Sequence, residues 1–131
     1  MAKTAVLPAT IYVPTHAEDE RYAGLVLGDG VWYHLILLPA KAPPEGWEQQ
    51  MGWAKEQGGY LPTRPEQAVL YANLPDEFEG YWYWSNTPYA GDDAYVWCQY
   101  FSHGSQGYDH KSAKLRARAV RRVAITKADH A

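Results

Sequence analysis

The chain has few of the residues from which covalent or metal-based scaffolds are built. Cys98 is its one cysteine in 131 residues, so a disulfide within the chain is impossible and no oxidising compartment is indicated. Its five histidines include no pair at the spacing of a zinc site. We therefore expect neither a cofactor nor a metal, and a single domain, residues 1–131, built on a hydrophobic core.

A long apolar run and an excess of basic residues are missing as well. The first residues, MAKTAVLPATIYVP, are interrupted by Pro8 and Pro14, so we predict no signal peptide, no membrane insertion and synthesis in the cytoplasm. The formal net charge is −3, which disfavours a nucleic-acid-binding protein that works through phosphate contacts.

Aromatic residues are abundant and are concentrated in one stretch. They make up 15% of the chain, and most of them are Tyr and Trp. The stretch Tyr81–Gly107, YWYWSNTPYAGDDAYVWCQYFSHGSQG, mixes them with Ser, Asn, Gly and Gln, a composition typical of binding loops. We predict that about half of these rings, following the alternation of a strand, lie in the core and that the others form a contact surface.

The order of the predicted elements is that of an α+β fold. Apolar runs on both sides of Asp29-Gly30 indicate a β-hairpin, and Thr63 with Glu66 forms the T-x-x-E capping box of a helix start. In chain order we predict short strands at Ala5–Leu7 and Ile11–Val13, strands at Ala23–Leu27 and Val31–Leu38 ended by Pro39, a linker at Lys41–Pro44, helices from Glu45 to Gln57 and from Thr63 to Leu74, strands at Tyr81–Ser85, Tyr95–Phe101 and Leu115–Val123, loops at Asn86–Asp93 and His103–His110, and a frayed tail at 124–131.

Two constellations suggest chemistry, and a structural interpretation is favoured for each. Cys98 and His103 could form a thiol nucleophile and its base, but a lone cysteine in an apolar strand is more often a buried hydrophobe. Asp92 and Asp93, with Asp109 or Glu79, could hold Ca²⁺, but their spacing matches no cation loop. We interpret the acidic pair as a solvated turn, and we expect no enzymatic activity.

A basic segment precedes the C-terminus and could contact RNA or DNA. It contains Arg116, Arg118, Arg121 and Arg122 with Lys111 and Lys114. Because the chain is acidic overall, we favour a strand whose arginines pair with acidic residues from elsewhere in the chain. The acidic candidates are Glu18, Asp19, Glu20, Glu77 and Glu79.

Five segments in this order resemble the Lcl C-terminal-like domain family, which is common in phages and prophages and also ends a collagen-like bacterial adhesin. They are YAGLVLGDGVWYHLILLP, GGYLPTRPEQAVLYANL, YWYWSNT, AYVWCQYFSHGSQ and KSAKLRARAVRRV, within about residues 22–123. The resemblance implies a C-type-lectin-like fold, with two helices packed on small antiparallel β-sheets and long late loops. The sugar-binding motif of calcium-dependent lectins and the cysteine pair of formylglycine-generating enzymes are missing, so neither chemistry is implied.

The resulting hypothesis is a non-enzymatic phage or prophage binding module that recognises a protein or a glycan on a host or virion surface. The alternative is a phage-encoded protein that acts in the host cytoplasm and inhibits a host enzyme or defence complex. Self-association is compatible with both hypotheses. The predicted contact residues are Tyr89, Asp92, Asp93, Tyr95, His103, Gln106, Tyr108 and Asp109.

Overall fold

The computed structural model describes residues 6–125, which form two helices and one six-stranded mixed sheet. The predicted α+β class is confirmed. The strands lie in the order β1-β2-β6-β3-β4-β5, and all pairings are antiparallel except a short parallel contact between β3 and β6. In chain order the elements are β1 (Arg21–Gly28), β2 (Val31–Glu45), α1 (Trp47–Glu56), α2 (Arg64–Asn73), a 3₁₀ turn (Pro75–Glu77), β3 (Trp82–Pro88), β4 (Tyr95–Tyr100), β5 (Ser105–His110) and β6 (Leu115–Ala124).

The predicted β1–β2 hairpin is confirmed. Asp29 and Gly30 both adopt positive φ, 51° and 78°, as the tight turn requires. The prediction that Pro39 ends the second strand is wrong, and so is the linker at Lys41–Pro44. The ladder slips between Leu37 and Lys41, and β2 then continues to Glu45. This irregularity accommodates Pro39, which has no N–H to donate to the ladder.

Both predicted helices are present, and each packs into its own core cluster. The capping box of α2 is confirmed: Thr63 Oγ1 accepts from Glu66 N at 3.3 Å, and Thr63 N donates to Glu66 Oε1 at 2.8 Å. Leu70 of α2 belongs to a cluster with Leu35, Leu37, Tyr83, Phe101 and Val120. Ala54 of α1 belongs to a second cluster with Leu38, Leu61, Trp84, Val96, Cys98, Ala117 and Ala119.

The predicted loop at His103–His110 is wrong, because Ser105–His110 is strand β5. Its polar sequence has low strand propensity, but pairing with the whole length of β4 overrides that preference. The loop predicted at Asn86–Asp93 is shorter than expected, since β3 continues to Pro88. Ile11–Val13 is not a strand. Ala5 and residues 126–131 lie outside the described residues.

Strand β6 lies in the middle of the sheet, between β2 and β3. Alternation along a strand would place Arg118 on the face opposite Ala117 and Ala119, yet Arg118 is buried as they are. Its guanidinium donates to the carbonyls of Leu38 and Glu77, so the buried charge is solvated by the backbone. Across residues 6–125, no helix is both long enough and apolar enough to cross a membrane.

Candidate functional site

One face of the β4–β5 hairpin carries a row of aromatic side chains at the protein surface. We call Tyr89, Tyr95, Trp97, Tyr108 and His110 the aromatic face. Tyr95 lies opposite His110 in the ladder, and Trp97 lies opposite Tyr108. Alternation along each strand places these four side chains on the same side of the sheet. Tyr89 joins them from the loop before β4, where its N–H donates to the Tyr95 carbonyl.

The rings of the aromatic face contact one another directly. Tyr89 and Tyr108 are stacked, with centroids 4.0 Å apart and planes 14° from parallel. Trp97 meets both of them edge-on, at 5.4 Å and 5.5 Å. Interaction with the Tyr108 hydroxyl group raises the pKa of Tyr89. Tyr108 is still 50% exposed, so the stack leaves aromatic surface open to a partner.

Arg64, in the first turn of α2, reaches from the helix onto the aromatic face. Its guanidinium carbon lies 3.4 Å from the centroid of the Trp97 ring, and its Nε donates to Gln106 Oε1 at 2.9 Å. Gln106 Nε2 donates to the Arg64 carbonyl at 2.9 Å and to Gln99 Oε1 at 3.0 Å. These bonds hold the guanidinium against the indole in one orientation.

Within residues 6–125, Arg64 differs from the other arginines because it has no carboxylate partner. Each of the others forms an ion pair: Arg21 and Arg118 with Glu77, Arg116 with Glu79, Arg121 with Glu20, and Arg122 with Glu66. These pairs confirm the hypothesis that the arginines of the basic segment pair with acidic residues from elsewhere in the chain. The partner of Arg122 is Glu66, which was not among the predicted candidates. The charge of Arg64 is left available at the surface.

A groove of about 610 Å³ extends the aromatic face toward α2. It combines the Arg64 guanidinium with two side-chain amides and a threonine hydroxyl. Charged and amide groups beside aromatic rings are what a specific binding site requires, since the rings supply contact area and the polar groups fix orientation. The groove is lined by Arg64, Pro65, Ala68, Thr87, Gln99, Gly104 and Gln106.

The structure brings together only some of the predicted contact residues. Tyr89, Tyr95 and Tyr108 lie in the aromatic face, and Gln106 lies beside Arg64. Asp109 is paired opposite the buried Val96 and so belongs to the other side of the sheet.

The remaining predicted residues lie at the two ends of the hairpin. Asp92 and Asp93 are in the exposed turn before β4, where Asp92 Oδ1 accepts from Ala94 N at 3.0 Å. His103 is in the turn after β4, with its ring 5.4 Å from that of Tyr100. The two turns are separated by the six residues of β4, so these side chains do not share one site with one another.

Sequence reasoning missed Trp97, His110 and Arg64 as contact residues. Trp97 could have been found, because it alternates with Tyr95 in a strand that was predicted correctly. His110 required knowledge that residues 105–110 form a strand. Arg64 is far from β4 in the sequence, and only the packing of α2 against the hairpin places it there.

Cys98 lies in the core rather than in a reactive site. Its side chain packs in the cluster that contains Trp84, and Sγ donates to the Gly107 carbonyl at 3.6 Å. Burial, with a smaller contribution from the charge of Asp109, raises the pKa of the thiol to about 12. A thiol that stays protonated is a poor nucleophile. Among residues 6–125, no three His, Cys, Asp or Glu side chains are placed to hold a metal ion together.

A second concavity, also about 610 Å³, lies at the β1–β2 turn. Val26, Leu27 and Val31 give it apolar walls, and Arg122 lines one side. Arg122 is already paired with the buried Glu66 at 3.0 Å. This concavity therefore offers no cation without a carboxylate partner, and its other charged residue, Asp29, lies in the hairpin turn itself. The aromatic face is the stronger candidate.

No protein-family model matches the chain, and no curated protein matches it. The fold and the site together define a small α+β domain that presents stacked aromatic rings beside an arginine without a carboxylate partner among the described residues.

Proposed function

We propose that this protein is a non-enzymatic recognition domain that binds a protein or a glycan through the aromatic face. The observation that carries the proposal is the convergence of rings on one surface, beside a fixed arginine. The rings from the loop before β4 and from β4 are partly exposed, and those from β5 are exposed. Tyr, Trp and Arg are the residues that most often dominate the energy of binding interfaces. A C-type-lectin-like fold and a phage or prophage origin belong to the same proposal, on the strength of the sequence resemblance.

The hydrophobic core does not account for the exposure of these rings. The Tyr108 side chain is 50% exposed, although removing apolar surface from water would stabilise the fold. Clustered exposed aromatic residues on a folded domain commonly mark a surface that a partner covers. Stacking within the aromatic face fixes the rings in place before binding, which lowers the entropy cost of ordering them in a complex.

Alanine substitutions at Tyr89, Tyr95 and Tyr108 test the proposal. We expect each to abolish partner capture from cell lysate, measured separately on soluble and envelope fractions, and to leave thermal stability nearly unchanged. Tyr81→Ala is the matched control, because Tyr81 is 53% exposed, stacks on Arg116 and lies outside the aromatic face. Variants that bind like the control would show that these tyrosines do not contact the partner, and variants that simply unfold would show that they are structural.

A further inference from the structure

Strand β5 is an edge of the sheet, and its alternation fixes which backbone groups face outward. Lys111 N donates to the Ala94 carbonyl at 2.9 Å, which marks these two residues as a hydrogen-bonded pair of the β4–β5 ladder. In an antiparallel ladder such pairs recur at every second residue, so Asp109, Gly107 and Ser105 direct their N–H and C=O groups toward β4. The backbone groups of Gln106, Tyr108 and His110 therefore point away from the sheet.

The same three residues place their side chains on the side of the sheet that carries Arg64. Gln106 contacts Arg64, and Tyr108 and His110 belong to the aromatic face. The His110 N–H is used locally, by Asp109 Oδ1 at 2.8 Å. Among the described residues, the outward N–H groups of Gln106 and Tyr108 have no such partner. An edge strand of this kind is a template for an added strand.

Arg64 adds a chemical preference to this edge. Its guanidinium lies over the Trp97 ring and uses Nε for Gln106, which leaves the N–H groups of its two terminal nitrogens for a ligand. That fork matches a carboxylate. A strand added beside β5 would lie about 4.8 Å from Gln106, so a Glu or Asp side chain at the neighbouring position lies within reach of Arg64.

We propose that the aromatic face binds an extended, carboxylate-bearing peptide segment of a protein partner, which adds to β5 as a further strand and places its carboxylate on Arg64. This inference rests on the proposed function and narrows it from any protein or glycan to one class of ligand. A peptide is favoured because only a polypeptide supplies backbone donors and acceptors at the spacing of the β5 edge, together with a side chain on the Arg64 side.

The test is a selection from a displayed random-peptide library on the full chain, run in parallel on wild type and Arg64→Gln. We expect wild type to enrich peptides with an acidic residue among strand-forming residues, and Arg64→Gln to lose the acidic enrichment. For a selected peptide, calorimetry should show at least about tenfold weaker binding to Arg64→Gln, while the peptide with Gln or Asn at the acidic position binds both proteins alike. Arg64→Lys keeps the charge but not the two parallel N–H donors of a guanidinium, so its affinity should lie between those of wild type and Arg64→Gln.

Backbone addition is tested separately at Tyr108. Proline there removes an outward N–H but no hydrogen bond to β4, whereas Tyr108→Thr also loses the ring and keeps the N–H. We expect the proline variant to bind the selected peptide at least about fivefold more weakly than the threonine variant. Melting curves of both variants establish that the hairpin is intact.

Acidic enrichment that survives Arg64→Gln, or equal binding of the proline and threonine variants, overturns the inference. The inference is also overturned if no peptide is selected and an oligogalacturonate shifts the Arg64 side-chain NMR signal, because the ligand is then a carbohydrate. If the selected peptides depend on Tyr89 and Tyr95 but not on Arg64, the recognition domain stands and the inference falls. If they depend on none of these residues, the proposed function falls as well.

Discussion

The most demanding prediction concerns Glu66, a fully buried carboxylate in the first turn of α2. Its Oε1 accepts from Thr63 N at 2.8 Å, and its Oε2 accepts from Tyr33 at 2.5 Å and from Arg122 at 3.0 Å. Tyr60 lies farther from Oε2, at 3.4 Å. We call these five residues the Glu66 network. Every close neighbour of the carboxylate is a donor, so the site is built for an ionised acid.

Glu66→Gln keeps the size of the side chain but removes its charge and replaces one acceptor by a donor. The amide N–H₂ must then face either Thr63 N–H or the two donors at Oε2, and at least one charge-assisted bond is lost. Arg122 also loses its carboxylate, although its side chain is partly exposed and can be hydrated. We expect a loss of about 3 kcal/mol in unfolding free energy. For a domain of this size that corresponds to a fall of roughly 10 °C in Tm.

Urea denaturation at pH 7, with an unchanged m value, measures this loss. Glu79→Gln is the matched control, because Glu79 pairs with Arg116 at 2.9 Å but its side chain is 62% exposed. We expect that change to cost less than about 1 kcal/mol. Equal, small losses in the two variants would refute the view that Glu66 anchors α2 to the sheet.

Three further predictions follow from titratable groups. The hydrogen bond to Arg121 lowers the pKa of Glu20 to about 2. The ionised Glu20 therefore stabilises the fold fully above about pH 4.5, and this contribution is lost as the pH falls toward 2. The unfolding free energy of Glu20→Gln should depend less steeply on pH in that range. Burial, followed by the bond to Glu66, raises the pKa of Tyr33. The contribution of Tyr33 to the unfolding free energy is therefore full below about pH 10 and declines above it. In urea titrations between about pH 9 and 11, Tyr33→Phe should lose less unfolding free energy with rising pH than the wild type. Cys98 should not react with a thiol reagent at pH 8 in the native state and should react fully in denaturant, since burial raises its pKa to about 12; rapid native reaction would contradict its placement in the core.

Local sequence signals predicted the elements that local interactions determine. The positive φ angles at Asp29 and Gly30 and the reciprocal bonds between Thr63 and Glu66 involve residues at most three positions apart. Such features can be recognised without knowledge of the tertiary fold. The α+β class could be predicted because the hairpin, the two helices and the final strand could each be recognised from local sequence.

The errors arose where distant contacts overrule local preference. The polar residues of β5 form a strand because β4 is available along their whole length. Arg118 is buried because β6 runs through the middle of the sheet, where Leu38 of β2 and Glu77 of the 3₁₀ turn supply carbonyl partners for its guanidinium. The candidate site was half predicted for the same reason: its tyrosines belong to one aromatic stretch, whereas Arg64 comes from a helix preceding that stretch.

The first turn of α2 connects the stability of the domain with its candidate site. Glu66 and Arg64 are two residues apart, so their side chains leave the helix on nearly opposite sides. Glu66 fixes the turn to β2 and β6 through Tyr33 and Arg122, while Arg64 extends to β4 and β5 through Trp97 and Gln106. Because a buried, fully bonded carboxylate holds this turn, the guanidinium can stay in one position on the indole without an acidic partner of its own. The entropy cost of orienting the Arg64 guanidinium is therefore met during folding and not during binding, so one partly exposed arginine can give the binding surface its specificity.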